Sequence, residues 1–452
     1  MSILSEELPA FYLPENPEYP ILASAAHAAS YTVAATTPSG IGANAHSFLV
    51  DINAKPVRTN GRLIQGVGYC ADAPFGAVTL FHLGRHTNRQ DFADTAREIA
   101  RHAIHSGYLD DPEIPVRLYR DAESGEFFDQ VEARRTFFDL GHMAKAIQNL
   151  VDLAGNVDAG SRERLMIAGR RFGAFVLKTG RTASGWLPRR VAHDLSPYML
   201  ARVPPPKPGV VPVAGGPRPD PIAERSGAGL LTVACMLKLD RLGLVKGREF
   251  LRETCDAFID SGGYFGSVNT DTEDQAESVA FALAFQTLLE ASDYLECPGY
   301  RNFAFDVCLP GLERFHMVED RNGQRTKGLL RLSDSYSSAC MWECSEAALA
   351  YFRAAADRGR PEHALAGLTI LRAIARNHFG ELGFIPSELD WNGRMPPEAH
   401  LEAGPFGPRR VTHPYMNNLH VVRSTLFFLE NLAGGFDEKA ALASVARAGR
   451  LS

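Results

Sequence analysis

The amino-acid sequence predicts an all-α protein: a toroid of consecutive helical hairpins with a minor β or irregular segment at its N-terminus. Three observations carry this. About twelve stretches hold apolar residues at helical spacing, whereas alternating, strand-like stretches are few. The turns inside each pair of stretches are brief, as at residues 155–160 and 242–246, while the links between pairs are long. The third is the stretch 261–289, with a glycine turn at Gly262-Gly263, an aromatic loop at Tyr264-Phe265, and then a helix apolar at nearly every position from 279 to 285. Such a helix has no solvent face and belongs inside a helical shell.

Taken in order, residues 19–35 are alanine-rich and suit a first helix. Residues 47–57 and 61–80 carry β-branched and aromatic side chains punctuated by glycine, and read as short strands or irregular wrapping. Phe92, Ala96, Ile99 and Ala103 define a helix over 91–106 that Gly107 stops. Residues 137–153 and 161–178 form one hairpin, and 223–242 and 247–259 another. Thr270-Asp271-Thr272-Glu273 is a capping-box pattern, which places the start of the next helix there. Its partner lies near 300–312, where Pro310 kinks or breaks it. Residues 334–357 pair with 362–378 across Gly359-Arg360-Pro361, and Pro414 suits the first turn of a helix ending at Leu432. The loops 180–221 and 380–413 are long enough that, in a compact protein, they are functional or disordered. The chain divides at residue 90 into an N-terminal segment, 1–90, packed on a toroid, 91–452, that forms a single domain.

The 452 residues, 45% hydrophobic and 22% charged, have the balance of a globular, enzyme-sized chain. A formal charge of -6 without a polycationic patch gives no footing for nucleic-acid binding. The first twenty residues carry acids and prolines where a secretory signal would be basic and then apolar, so a cytoplasmic location is expected. No apolar run reaches membrane-spanning length. Seven cysteines, an odd number in a long chain, are expected as reduced thiols. Cys340 and Cys344 share a helix face beside Glu343 and read as buried thiols rather than metal ligands. There is no P-loop, dinucleotide glycine fingerprint, nucleophile-elbow serine or HExxH, so neither cofactor nor metal is expected.

In a ring of antiparallel hairpins the inner helices start at one end, and the long loops gather there. The expected starts are Phe137 through His142, Ala223 through Ser226, Thr270 through Glu277, Ser333 through Tyr336, and His413 through Asn418. Helix capping accounts for Asp, Ser and Thr at such positions but not for His142, Tyr336, Tyr415, Asn418 and His420. Carboxyls facing one pocket from opposite sides can divide acid and base roles, which singles out Asp139, Asp271, Asp274, Asp334 and Glu343. Glu343 and Glu346 lie three apart in an alanine- and aromatic-rich helix. A buried carboxylate there needs a partner; in the plainer reading Glu346 faces water and Glu343 bonds an arginine. Trp186, Trp342 and Trp391, with Tyr264 and Tyr415, offer flat faces to a polar, ring-shaped ligand. The first long loop adds Arg190, His193 and Asp194. His413, His420 and Arg423 suit an anion, although structural histidines fit equally.

The succession of hairpins, the Asp-Leu-Gly helix start at Asp139, and the Gly-Gly-Tyr-Phe-Gly loop before an acidic helix resemble the six-hairpin, (α/α)6-toroid carbohydrate-active proteins, over residues 91–432. The resemblance is architectural. That superfamily includes glycoside hydrolases, unsaturated-uronyl hydrolases, polysaccharide lyases and sugar 2-epimerases, and fold analogy does not choose among them. It implies a carbohydrate substrate, with a homo-oligomer left open. The leading expectation is an intracellular glycoside hydrolase acting on a short oligosaccharide, neutral or uronate-containing. One of the five carboxyls would protonate the departing oxygen and a second would activate water. In a lyase, Tyr336 or Tyr415, helped by His193 or His413, would remove a proton next to a uronate carboxyl neutralised by Asn418 or Arg423. A sugar epimerase or isomerase and a non-enzymatic helical scaffold are the remaining readings.

Overall fold

The structure, a computed structural model, describes residues 18–36, 49–59, 61–128, 137–201, 218–269, 272–378, 382–394 and 411–442. Its helices are α1 (Glu18–Ala35), α2 (Ala73–Thr87), α3 (Gln90–His105), α4 (Leu140–Asp152), α5 (Ala159–Lys178), α6 (Gly229–Arg241) and α7 (Arg248–Asp260). After these come α8 (Ser278–Leu295), α9 (Pro298–Phe303), α10 (Leu309–Glu313), α11 (Met341–Arg358), α12 (Pro361–Ala375) and α13 (Met416–Asn431).

Among the described residues, α2, α4, α6, α8, α11 and α13 each pack on the next, and α13 returns to α2. This closes an inner ring. Helices α3, α5, α7 and α12 back their hairpin partners from outside. Helix α8 is backed by α9 and α10, which are joined through a π-helical turn at Ala304–Cys308, just before Pro310. Helix α1 backs α13, so the first and last of these helices meet to complete the circle. The all-α toroid is therefore the fold of the chain.

Burial follows position. The outer helix α3 buries a single stripe, including Phe92, Ala96, Ile99 and Ala103. On the inner helix α11 every residue from 341 to 352 is buried, Glu343 and Glu346 included, so Glu346 does not face water.

Three expectations change. Residues 61–80 are not mainly wrapping: after a short strand at Ile64–Gly66 they enter α2, an inner helix. Helix α2 buries ten of its fifteen residues and so lacks a one-sided stripe, and its Phe, Val and Thr content reads as strand. The segment 1–90 thus supplies two helices of the ring itself. Second, α8 starts at Ser278, not at Thr270, because Glu277 draws the preceding chain around its carboxylate, as described below. Third, α11 starts at Met341, because Ser338–Cys340 is a strand paired antiparallel with Glu388–Asp390.

Similar short ribbons frame the same end of the ring. Phe138–Asp139 pairs with Arg190–Val191 and runs into α4, while Val411–Thr412 pairs with Val50–Asp51 and leads to α13. At two or three residues each, they are too short to show alternation. Close approach between inner helices depends on glycine: a Cβ on Gly76 of α2 would lie 2.5 Å from the Tyr415 ring, and one on Gly141 of α4 would lie 2.7 Å from the Ala228 carbonyl oxygen. Among the described residues no helix is long and apolar enough to cross a membrane.

Candidate active site

Where the inner helices begin, Tyr69, Asn269, Thr272, Leu332, Tyr336, Cys340, Trp342, Ser387, Glu388, His413 and Met416 enclose a cavity of about 100 Å³. Tyr69 has φ of +43°, a left-handed backbone that is costly for a bulky side chain and persists only where the surroundings enforce it. Its ring stacks on His142 at 4.0 Å and 13° and meets Trp342 edge-on at 5.8 Å. Glu388 reaches the cavity from the second strand of the 338–340 ribbon and accepts a hydrogen bond from Ser338. Tyr336 lies 37% exposed at the rim, and Trp391 braces it by donating its indole N–H to the Tyr336 carbonyl at 2.8 Å.

The wall behind Asn269 holds two buried carboxyls. Glu343 Oε1 accepts from Asn269 Nδ2 at 2.7 Å, and its Oε2 from Ser278 Oγ at 3.2 Å. Glu277 Oε2 accepts from the backbone N–H of Val268 at 2.7 Å and of Asn269 at 3.3 Å, while its Oε1 accepts from Thr272. Burial raises the Glu277 carboxyl above its ordinary range, and these hydrogen bonds and Arg189 oppose the shift. Arg189 donates to the carbonyls of Asn269 and, at 3.0 Å, Thr272; burial lowers its guanidinium to about 10. Neighbouring Arg190 lies 3.0 Å from Asp220 and 3.5 Å from Asp139. The rim is therefore held by a continuous polar framework.

Deeper in the ring a second network crosses the axis. The Lys145 ammonium lies over the rings of Trp342, Tyr69 and Phe75 at 5.2, 5.8 and 5.9 Å, and 3.4 Å from His420 Nε2. His420 Nδ1 meets Glu346 at 2.6 Å, and Glu346 also bonds Arg423 and, at 3.2 Å, Gln286. Burial and then Lys145 lower His420 to about 3, so a neutral ring that donates from Nδ1 and accepts at Nε2 fits both contacts. Burial opposes ionisation of Glu346, yet Arg423 and His420 hold its carboxyl well below the usual range.

Asp72, the N-cap of α2, accepts from Phe75 N–H at 3.2 Å and from Asn149 Nδ2 at 2.7 Å. Burial still raises it from 3.8 to about 7, against the pull of Lys145 and these bonds. The folded chain thus holds this proton more tightly than the unfolded chain. Its stabilising contribution is full below about pH 4 and is lost as pH rises through about 7. Thermal melts from about pH 5 to pH 8 should show this fall in the wild type, and Asp72→Asn should flatten it. An unchanged slope in the variant would refute the assignment.

Of the residues singled out from sequence, Tyr336, Trp342 and His413 line the mouth cavity. Glu343 stands directly behind it, and His142 lies beneath Tyr69. His420 and Arg423 belong to the axial network, and Asp139 and Arg190 to the rim framework. Asp274 is buried, accepts from Ser335, and is raised mainly by burial. Asp271 lies outside the described residues.

Others do not line the mouth cavity. Trp186 and Tyr264 stack on each other at 4.9 Å inside the core, with the indole N–H donated to the Ser226 carbonyl, and neither presents a face to a ligand. Tyr415 is fully buried against α2, and Asn418 is buried at the junction of α13 with α1, donating to the carbonyls of Ala28 and Gly383. The Asp334 side chain is 69% exposed and paired with Arg331. Asp194 caps its own turn by accepting from Ser196. His193 meets Phe138 edge-on in a larger cavity of about 450 Å³, where Glu113, Arg171 and Lys178 join Ile114, Pro115, Phe175 and Leu195 in the lining.

Sequence reasoning missed Tyr69, Asp72, Lys145, Asn269 and Glu388. For Lys145 a signal exists: His142, Lys145, Gln148, Asn149 and Asp152 form one polar stripe along the helix. Glu388 sits in a Ser-Glu-Leu-Asp run whose strand pairing is the only clue to its direction.

A six-hairpin ring with a polar cavity at its mouth defines the (α/α)6-toroid class. No protein-family model matches the chain, and no curated protein sequence matches it. Among solved structures it is similar to a cellobiose 2-epimerase from Bacillus thermoamylovorans, with 11% identity over 86% of this chain and 92% of that one, at a TM-score of 0.60. A D-mannose isomerase gives 9% identity over 90% and 96% of the two chains, with a TM-score of 0.55. A possible member of the GH105 family from Salmonella enterica gives 13% identity over 95% and 100%, with a TM-score of 0.51. At these identities the likeness is one of fold.

Proposed function

We propose that the protein is a carbohydrate-active enzyme that removes a proton from a sugar carbon next to a carbonyl or carboxyl group, leading to epimerisation, isomerisation or elimination. The observation that carries this reading is the chemistry of the mouth cavity. Its described lining brings an imidazole, His413, together with the phenol of Tyr336 and a single carboxyl, Glu388. Proton removal and return need one base and one acid within reach of the carbon, and these residue types serve as both. Trp342 and Tyr69 add aromatic surface to the lining, while Asn269, Thr272 and Ser387 supply polar groups. Two of the proteins similar in fold are named for epimerisation and isomerisation of sugars, which supports the reading as analogy.

Hydrolysis by two carboxyls, the leading expectation from sequence, is the second reading. The cavity's described lining holds one carboxyl, whereas that mechanism needs a pair. Incubation in D2O with glucose, mannose, cellobiose and glucuronate-containing oligosaccharides separates the two. Deuterium at a sugar carbon, or the ultraviolet absorbance of a conjugated double bond, is the expected result. New reducing ends without either signal would overturn the proposal in favour of hydrolysis.

A further inference from the structure

We propose that Asn269 reads a free hydroxyl of the bound sugar, and that Glu277 and Glu343 are positioning residues that fix which end of its amide the sugar meets. This rests on the carbohydrate reading of the mouth cavity. An asparagine amide offers two N–H donors and one carbonyl acceptor. Both donors of Asn269 turn into the wall: Nδ2 is 2.7 Å from Glu343 Oε1 and 3.3 Å from Glu277 Oε2. Its backbone N–H goes to Glu277 at 3.3 Å, and its backbone carbonyl accepts from Arg189 and, at 3.4 Å, from Thr272 Oγ1. The side-chain oxygen alone remains for the cavity that Asn269 lines.

The two carboxyls favour this orientation, because a flipped amide would turn its oxygen towards their acceptor oxygens and strand its N–H groups. The oxygen is therefore a fixed, neutral acceptor. It accepts a hydrogen bond from a hydroxyl and repels an ether, a carbonyl or a carboxylate at the same place. With two carboxyls directly behind it, the subsite is the part of the cavity least suited to the acidic group of a uronate. The substrate then carries a free hydroxyl there, and any anionic group points elsewhere.

Calorimetric binding of glucose, mannose and their singly deoxygenated analogues tests this without turnover. Wild type should bind one deoxy analogue at least about tenfold more weakly than its parent, as expected when a buried acceptor loses its donor. Asn269→Ala should bring the parent down to the level of that analogue. Glu343→Leu, which removes the nearer of the two acceptors holding Nδ2, should weaken the discrimination, and Glu343→Gln, which retains an acceptor oxygen, should keep it. A merely structural role for Glu343 would weaken all sugars equally. If no parent sugar binds the wild type, the carbohydrate reading falls and the inference with it. If parents bind and Asn269→Ala preserves the parent-to-deoxy ratio, the inference alone is overturned.

Discussion

Glu346→Gln should cost roughly 3 kcal/mol of folding stability, the low end of what breaking a buried ion pair costs. The Glu346 carboxylate is 4% exposed and faces Arg423 and His420, with Lys145 beyond. Neutralising it leaves cationic groups in the ring interior without their counter-charge. The low end applies because Arg423 is 35% exposed and water screens part of its charge. Adding Arg423→Met should recover part of the loss, since the pair is then removed together. Because the carboxyl is held far below its ordinary value, its contribution is present at neutral pH and declines only as the solution becomes strongly acidic. Denaturant unfolding with an unchanged slope is the measurement, and a loss below about 1 kcal/mol would rule the network out as a structural element.

His413→Gln and Tyr336→Phe should each lower kcat by about 10²- to 10⁴-fold on whichever sugar of the panel turns over, the usual contribution of a positioned acid or base. Melting temperatures should barely move, because Tyr336 stands at the rim and His413 is only partly buried. The contrasting variant is Asp334→Asn. That carboxyl is exposed and paired on the surface, so full activity is expected. Retained activity in both His413→Gln and Tyr336→Phe would detach the mouth cavity from the chemistry. Lost activity in Asp334→Asn would return that residue to the catalytic list.

The sequence by itself determined the helical hairpins whose burial is one-sided, such as α3, with its stripe from Phe92 to Ala103, and the crowding of polar residues at the starts of inner helices. It also determined that one end of a ring would collect the long loops. Tertiary structure alone decided α2, whose burial on nearly all sides leaves no periodic trace, and the short ribbons that delay α11. It also decided which polar groups are consumed. Glu343 bonds Asn269 across 74 positions of chain, and Ser338 bonds Glu388 across 50. Asp139 is absorbed by Arg190, while Glu388 reaches the cavity. A side chain's type and its place in a helix are local properties, legible in order of sequence. Whether its charge is met by a partner or left facing a cavity depends on what distant segments bring to the same few ångströms, and only the closing of the ring settles that.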